Sequence, residues 1–301
     1  MAGMASFSLA LSRPISPWLE MGAYECLWTD ARQSFKKIAD LFRDKKDALP
    51  SDFILRPVAE RCAKDASDLL AQADIRRFGI RINGTGDYPD NLRDAKNPLE
   101  LLYFQGWWDL LHTTCVAVVG TRKPTDDGLA RTEKLVRHLV KDGYTVMSGL
   151  AEGIDTFAHR TAIRCGGRTI AVIGTPLSCV YPRENADLQK QIARDYLLIS
   201  QVPVLRYSRQ DWRSNRSFFP QRNITMSALS SATIIVEASD TSGAMMQANA
   251  AIHQKRKLFI LDSCFQDSSL TWPLKYQRLG AIRVRDYQDI RKRLADPTST
   301  N

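Results

Sequence analysis

The sequence predicts an α/β fold: a doubly wound, mostly parallel sheet preceded by a small all-helical unit. Three observations carry this. Short apolar, β-rich runs recur after Thr114, of the continuous kind that suits strands buried on both faces of a parallel sheet. Helix-patterned segments separate most of them, the alternation of a doubly wound sheet. Nearly every run ends in Gly, Ser, Thr or Asp, so small polar residues collect on the rim where ligands of such sheets bind.

Taken in order, residues 16–73 read as helical. "PWLEMGAYECLW" and "QSFKKIADLFRDKKD" space apolar residues three and four apart. Leu49-Pro50-Ser51-Asp52 then announces a helix beginning at "DFILRPVAERC". Residues 74–110 are a bridge dense in Gly, Pro, Asn and Asp, with "LLYFQG" a strand at or near the sheet edge. The strand runs follow: "CVAVVGT" (115–121), "YTVMSG" (144–149), "TIAVIGT" (169–175), "LLIS" (197–200), "ATIIVEAS" (232–239), "KLFILDS" (257–263) and "AIRVRD" (281–286). The expected division is a helical unit over residues 1–75 and a sheet unit over 76–301.

The totals narrow the function classes. At 301 residues the chain makes one large domain or two ordinary ones. A net charge of +9 favours polyanionic partners, nucleic acid or an anionic membrane surface. The six cysteines (26, 62, 115, 165, 179, 264) contain no C-x-x-C, which fits reduced thiols in a cytoplasmic protein. The histidines (112, 138, 159, 253) have no metal-ligand spacing, so neither metal nor cofactor is expected. No apolar run approaches the roughly 20 residues of a membrane span, and "MAGMASFSLALSRP" lacks the regions of a signal peptide.

Five stretches supply chemistry on the rim. In "VVGTRKP", Gly120 and Thr121 follow a strand and precede a helix, with Arg122 offering a fork for a phosphate. In "SGLAEGIDTFAH", Ser148 and Gly149 end a strand, Asp155 is placed to cap a helix, and His159 reads as a core histidine. "GTPLSCVYPREN" puts Tyr181 on the rim. "LRYSRQDWRSNRSFFPQRN" (205–223) reads as a loop with five arginines against Asp211 and with Tyr207, Trp212, Phe218 and Phe219 interleaved. Guanidiniums neutralise phosphates and exposed rings stack bases; one of Phe218 and Phe219 is expected in the core. "TSGAMMQANAAI" opens a further helix at Ser242 and Gly243. Each stretch alone also reads as a strand–helix turn or a solvated basic surface.

In sequence order, "VGTR", "SGLAEGIDTFAH", "GGRTIAVIGT", "YPREN", "FPQRN", "IVEA" and "SGAMMQA" resemble the DNA-processing protein A (Smf) family, from about Ile80 to Ile290. The resemblance implies an extended Rossmann-like fold that binds single-stranded DNA, dimerises, and mediates recombination without being an enzyme, by loading a RecA-type recombinase and promoting annealing. DNA uptake and anti-phage defence, with a defence-system partner, are the settings it leaves open. The resemblance places Arg122, Ser148, Gly149, Arg222 and Asn223 at a phosphate pocket and Phe219 near the bases; with Gly120, Thr121, Arg216, Ser242 and Gly243 of the stretches above, they make the expected DNA-binding set. The sequence departs from the family pattern at Ile224 (usually Arg), at Glu152 (often basic) and at Gln247 (commonly Thr), and no winged-helix-like domain is read after residue 290.

Two alternatives use the same superfold. One is a nucleoside-monophosphate phosphoribohydrolase, for which Glu237 is the nearest carboxylate. The other is a nucleotide sensor that reports through the helical unit.

Overall fold

The computed structural model describes residues 14–295 apart from 46, 94 and 96. Three helices come first: α1 (Pro17–Leu27), α2 (Phe35–Arg43) and α3 (Arg56–Gln72). α3 starts later than the Asp52 signal, which belongs to a separate 3-10 turn, Pro50–Asp52. Pro57 sets that start. It lacks an N–H, so it is tolerated only in the first helical turn, where no partner is needed.

The bridge contains a strand its composition hides, β1 (Gly79–Ile82), then a short helix α4 (Asp90–Arg93) and β2 (Leu101–Gly106). The remaining strands are β3 (Cys115–Val119), β4 (Thr145–Ser148), β5 (Thr169–Ile173), β6 (Leu197–Ser200), β7 (Ala232–Ile235), β8 (Lys257–Leu261) and β9 (Ile282–Val284). Every apolar run read as a strand after Thr114 is one. Between them lie α5 (Asp126–Lys141), α6 (Ile154–Arg164), α7 (Ala186–Asp195), α8 (Val204–Arg209), α9 (Trp212–Asn215), α10 (Phe218–Leu229), α11 (Ala244–His253), α12 (Ser263–Gln266), α13 (Trp272–Arg278) and, last, α14 (Tyr287–Ala295). The basic segment read as a loop is thus mostly helical. Pro220 does not prevent this, because it too falls in a first turn.

One sheet of nine strands results, in the order β1-β2-β6-β5-β4-β3-β7-β8-β9. β2 pairs antiparallel with both β1 and β6, and all other pairings are parallel. Alternation places Cys115, Ala117 and Val119 of β3 on one face and Val116 and Val118 on the other, in two different apolar clusters. Strand order reverses between β3 and β7. A doubly wound sheet opens a crevice at such a reversal, because the loops leaving the two strands diverge to opposite faces.

The helical unit packs on the β1–β6 side, and Met21, Tyr24 and Leu70 share a cluster with Leu101, Tyr103 and Leu198. It also grips the start of the basic segment. The fully buried Glu25 carboxylate accepts the Val204 and Leu205 amides at 2.8 Å each, and accepts the Tyr103 hydroxyl. Burial raises this carboxyl above its ordinary range, while those donors pull it back. In return, Arg206 donates to the carbonyls of Asp30 (2.5 Å) and Ala31 (3.0 Å) beyond the end of α1. Phe35 meets Trp28 and Phe218 edge to face across the same junction, and Trp28 and Phe218 lie tilted against each other.

Candidate nucleic-acid interface

A groove of about 730 Å³ opens at the carboxyl ends of β3 and β7, where the strand order reverses. Its floor is the turn Gly120-Thr121-Arg122-Lys123. Gly120 is required by packing: a Cβ there would stand 2.6 Å from the Ile154 side chain and 2.8 Å from the Glu237 carbonyl. The Thr121 amide is bonded to that carbonyl at 2.7 Å, so it is not free for a phosphate. Arg122 and Lys123 are exposed. Gly153 adopts φ +75° and lets the Thr121–Arg122 backbone lie against the start of α6.

One wall is α10. Phe219, Arg222, Asn223 and Met226 lie at i, i+3, i+4 and i+7 and line the groove together, with Arg216 just before the helix. Phe218 goes the other way, into the core, at 2% exposure. The Phe219 ring sits against Gly174, where a Cβ would come within 2.6 Å of it, and meets Tyr181 edge-on at 5.4 Å. The opposite wall runs from Ser239 into α11 and includes Ser242 and Gly243, so the positive end of that helix faces the groove. Asn223 Nδ2 donates to the Gly243 carbonyl at 3.1 Å and ties the walls together. Gln247 braces them from below: with its amide nitrogen toward the Asn223 carbonyl (2.7 Å), its oxygen accepts from Thr233 Oγ1 (3.1 Å).

Arg222 is 5% exposed, and its guanidinium rests against Gly149 so closely that a Cβ there would stand 1.0 Å from Nη1. The Asp155 carboxylate is 3.7 Å from Nη1, an ion pair beyond hydrogen-bond reach. Among the described residues, Nε and Nη1 have no hydrogen-bond partner. Burial lowers the Arg222 pKa, as does Arg122 nearby; burial raises the Asp155 pKa against the pull of Arg222 and of the Gly149, Ala151 and Gly120 amides. Asp155 therefore does not cap α6, whose N-cap is Gly153. His159 is a core residue, with Nδ1 2.7 Å from Thr169 Oγ1 and a pKa pushed down to about 3 by burial and by Arg222.

The charge balance of the groove is positive. Arg122, Lys123, Arg216 and Arg222 line it with two carboxylates, Asp155 and Asp240. Asp240 is committed to the start of α13, accepting from Thr271 Oγ1 at 2.8 Å and the Trp272 amide at 3.0 Å. Glu237 is committed as well. It accepts the Thr125 amide (3.1 Å) and hydroxyl (2.8 Å), stands 3.6 Å from Arg131, and so neutralises the start of α5.

Nine of the residues singled out from sequence therefore share the groove: Gly120, Thr121, Arg122, Arg216, Phe219, Arg222, Asn223, Ser242 and Gly243. Gly149 lines a small recess beside it, together with Glu152 and Tyr181. Ser148 is fully buried beneath, its hydroxyl donating to the Val118 carbonyl at 2.7 Å. Ile224 is half-buried outside the lining. Lys123 and Met226 were not singled out from sequence; the first is adjacent to Arg122, and the second follows from the spacing of α10 once it is known to be helical.

Comparison with known proteins gives concordant matches. Residues 80–295 fit the family model described as "DNA recombination-mediator protein A". Protein Smf of Synechocystis is 41% identical over 179 residues, covering 58% of this chain and 44% of that protein. The DNA processing protein DprA of Bacillus subtilis is 32% identical over 210 residues, 69% of each chain. The chain thus spans less than half the length of the first of these relatives. The X-ray structure of DNA processing protein A from Streptococcus pneumoniae superposes with a TM-score of 0.67 at 27% identity, covering 93% of this chain and 98% of that one. A structure of the Helicobacter pylori protein, described for its single-stranded DNA binding mode, gives 0.61 at 30% identity, covering 72% and 95%.

Proposed function

We propose that this chain, which belongs to the DNA recombination-mediator protein A family, holds single-stranded DNA in the groove between β3 and β7 and acts as a recombination mediator. The observation that carries the reading is Arg222. Its guanidinium lines the groove at 5% exposure and meets only a loose carboxylate at 3.7 Å, so a charge this incompletely compensated supports an anion held in the groove. Arg122, Lys123 and Arg216 stand exposed on the same groove and suit a phosphate backbone. Phe219, against Tyr181, offers a face for a base regardless of its identity. The helical unit expected over residues 1–75, described from residue 14 onward, belongs to this reading as a brace for the wall formed by 204–229, because Glu25 and Arg206 bolt the two together.

The work of such a protein is positional: it keeps a strand unpaired and presents it for exchange. Its partners in this proposal are a second copy of the chain and a RecA-type recombinase or a defence-system protein, in the cytoplasm. DNA uptake and anti-phage defence are both settings in which that activity serves. Changing Arg122 and Lys123 together to Ala should weaken binding of every single-stranded sequence alike, because the contacts are to phosphate. Unchanged affinity in that variant, measured by fluorescence anisotropy, refutes the assignment.

The groove volume also lies in the range of small-molecule sites, which keeps a nucleotide sensor as the second reading. A thermal-shift panel separates the two: mononucleotides stabilise a sensor, and short oligonucleotides stabilise a strand binder. A phosphoribohydrolase is disfavoured because the Glu237 carboxylate is already bound to the start of α5. Release of free base from a nucleoside monophosphate would reverse that judgement.

A further inference from the structure

We propose that Trp212 is a second base-stacking station, outside the groove, that extends the bound strand past Arg216. The inference rests on the single-strand reading of the groove and goes beyond it in where the strand leaves. Trp212 is 65% exposed although it is a large aromatic residue in a short, well-anchored turn. Burial of such a ring is strongly favourable, so an exposed one on a fixed backbone is available for a contact made by another molecule.

The turn is held on several sides. Asp211 caps it by accepting the Ser214 amide at 2.7 Å. Asn215 is buried, donates to the Tyr207 carbonyl at 3.0 Å and accepts from Gln210 Nε2 at 2.9 Å. The ring is thus presented from a firm base.

Its surroundings match a single strand better than a protein surface. Arg213 and Arg216 stand with their guanidinium carbons 5.6 and 5.8 Å from the Trp212 ring centroid. Arg216 also lines the groove, so it links the two aromatic stations, Phe219 inside and Trp212 outside. Ring, guanidinium, ring is an alternation that binds a strand without sequence readout: bases stack on the rings, and phosphates between them meet the cation.

The experiment compares oligothymidines of about 4 and about 16 nucleotides on the wild-type chain, Trp212→Ala, Trp212→Tyr and Arg122→Ala. In this proposal the short strand is held at the Arg122–Lys123 end of the groove, and only the long one extends past Arg216 to Trp212. Trp212→Ala should weaken the long strand about tenfold and leave the short one unchanged, and Trp212→Tyr should retain most of the affinity. Equal affinities for Trp212→Ala and wild type on the long strand, with Arg122→Ala weakened on both, overturn the second station and leave the groove reading intact. Arg122→Ala binding both strands like wild type removes the groove reading and this extension with it. Loss of a protein contact in Trp212→Ala with unaltered DNA binding would reassign the ring to a protein partner and also overturn the proposal. Far-UV circular dichroism checks that these surface variants are folded.

Discussion

Arg222→Met tests the loose, buried contact with Asp155 most sharply. At 3.7 Å and an effective dielectric of about 20, the two charges attract by about 4.5 kcal/mol. Removing the guanidinium also removes two unsatisfied buried N–H groups, each worth about 1–3 kcal/mol of desolvation. Asp155 keeps its bond from the Gly149 amide at 3.1 Å and can take up a proton, which burial already favours. The expected net destabilisation is therefore at most about 2.5 kcal/mol, less than the roughly 3–5 kcal/mol of breaking a tight buried pair. Urea denaturation of Arg222→Met, Asp155→Asn and the double variant closes a cycle, in which a coupling of about 2 kcal/mol is expected. In DNA binding the two single variants should diverge. Arg222→Met loses a phosphate contact, whereas Asp155→Asn leaves the cation without a competing carboxylate and tightens binding at low salt. Additive stabilities, or two variants that weaken binding equally, would contradict the reasoning.

Three further outcomes follow from particular contacts. Gly149→Ala places a Cβ on the Arg222 guanidinium and must expel it, so both melting temperature and single-strand affinity should fall, by amounts close to those of Arg222→Met. Glu237→Ala removes the carboxylate from the start of α5 and should cost about 1–2 kcal/mol in chemical denaturation, with single-strand affinity retained. Glu100 is buried, and burial lifts its carboxyl from 4.5 to about 7 against a hydrogen bond from Asn83. The folded state therefore holds a proton that the unfolded chain has released, and stability falls as pH rises from about 4.5 to about 7. At about 1.4 kcal/mol per pH unit this amounts to about 3 kcal/mol, which Glu100→Gln should abolish in melts across that range.

The parts of this molecule legible in the sequence are those set by local periodicity. The β3 to β8 runs are continuous apolar stretches because the sheet is covered on both faces there, and that pattern survives without any tertiary information. β1 escaped because it lies at an edge among turn formers, with Gly79, Ile80 and Arg81 half-exposed and only Ile82 buried. The segment from 205 to 223 reads as a loop because its arginines and Pro220 mask two short helices and the start of α10. At the site, motif order brought out most of the groove lining, yet it could not say where a strand-end side chain points. Ser148 shows this: its hydroxyl turns back to the neighbouring β3 and is spent on the Val118 carbonyl. Nor could spacing reveal that Asp155 faces Arg222, since they stand 67 positions apart in the chain and meet only through the fold of the sheet.

The most direct test of the groove as a single-strand site is an anisotropy titration of single-stranded against duplex DNA over a range of salt. Four cations line the groove, and at about −0.7 per phosphate neutralised the log of the binding constant should fall with log salt at a slope near −3, with the duplex bound more weakly. A slope near zero, or a duplex bound as tightly as the single strand, would contradict the account.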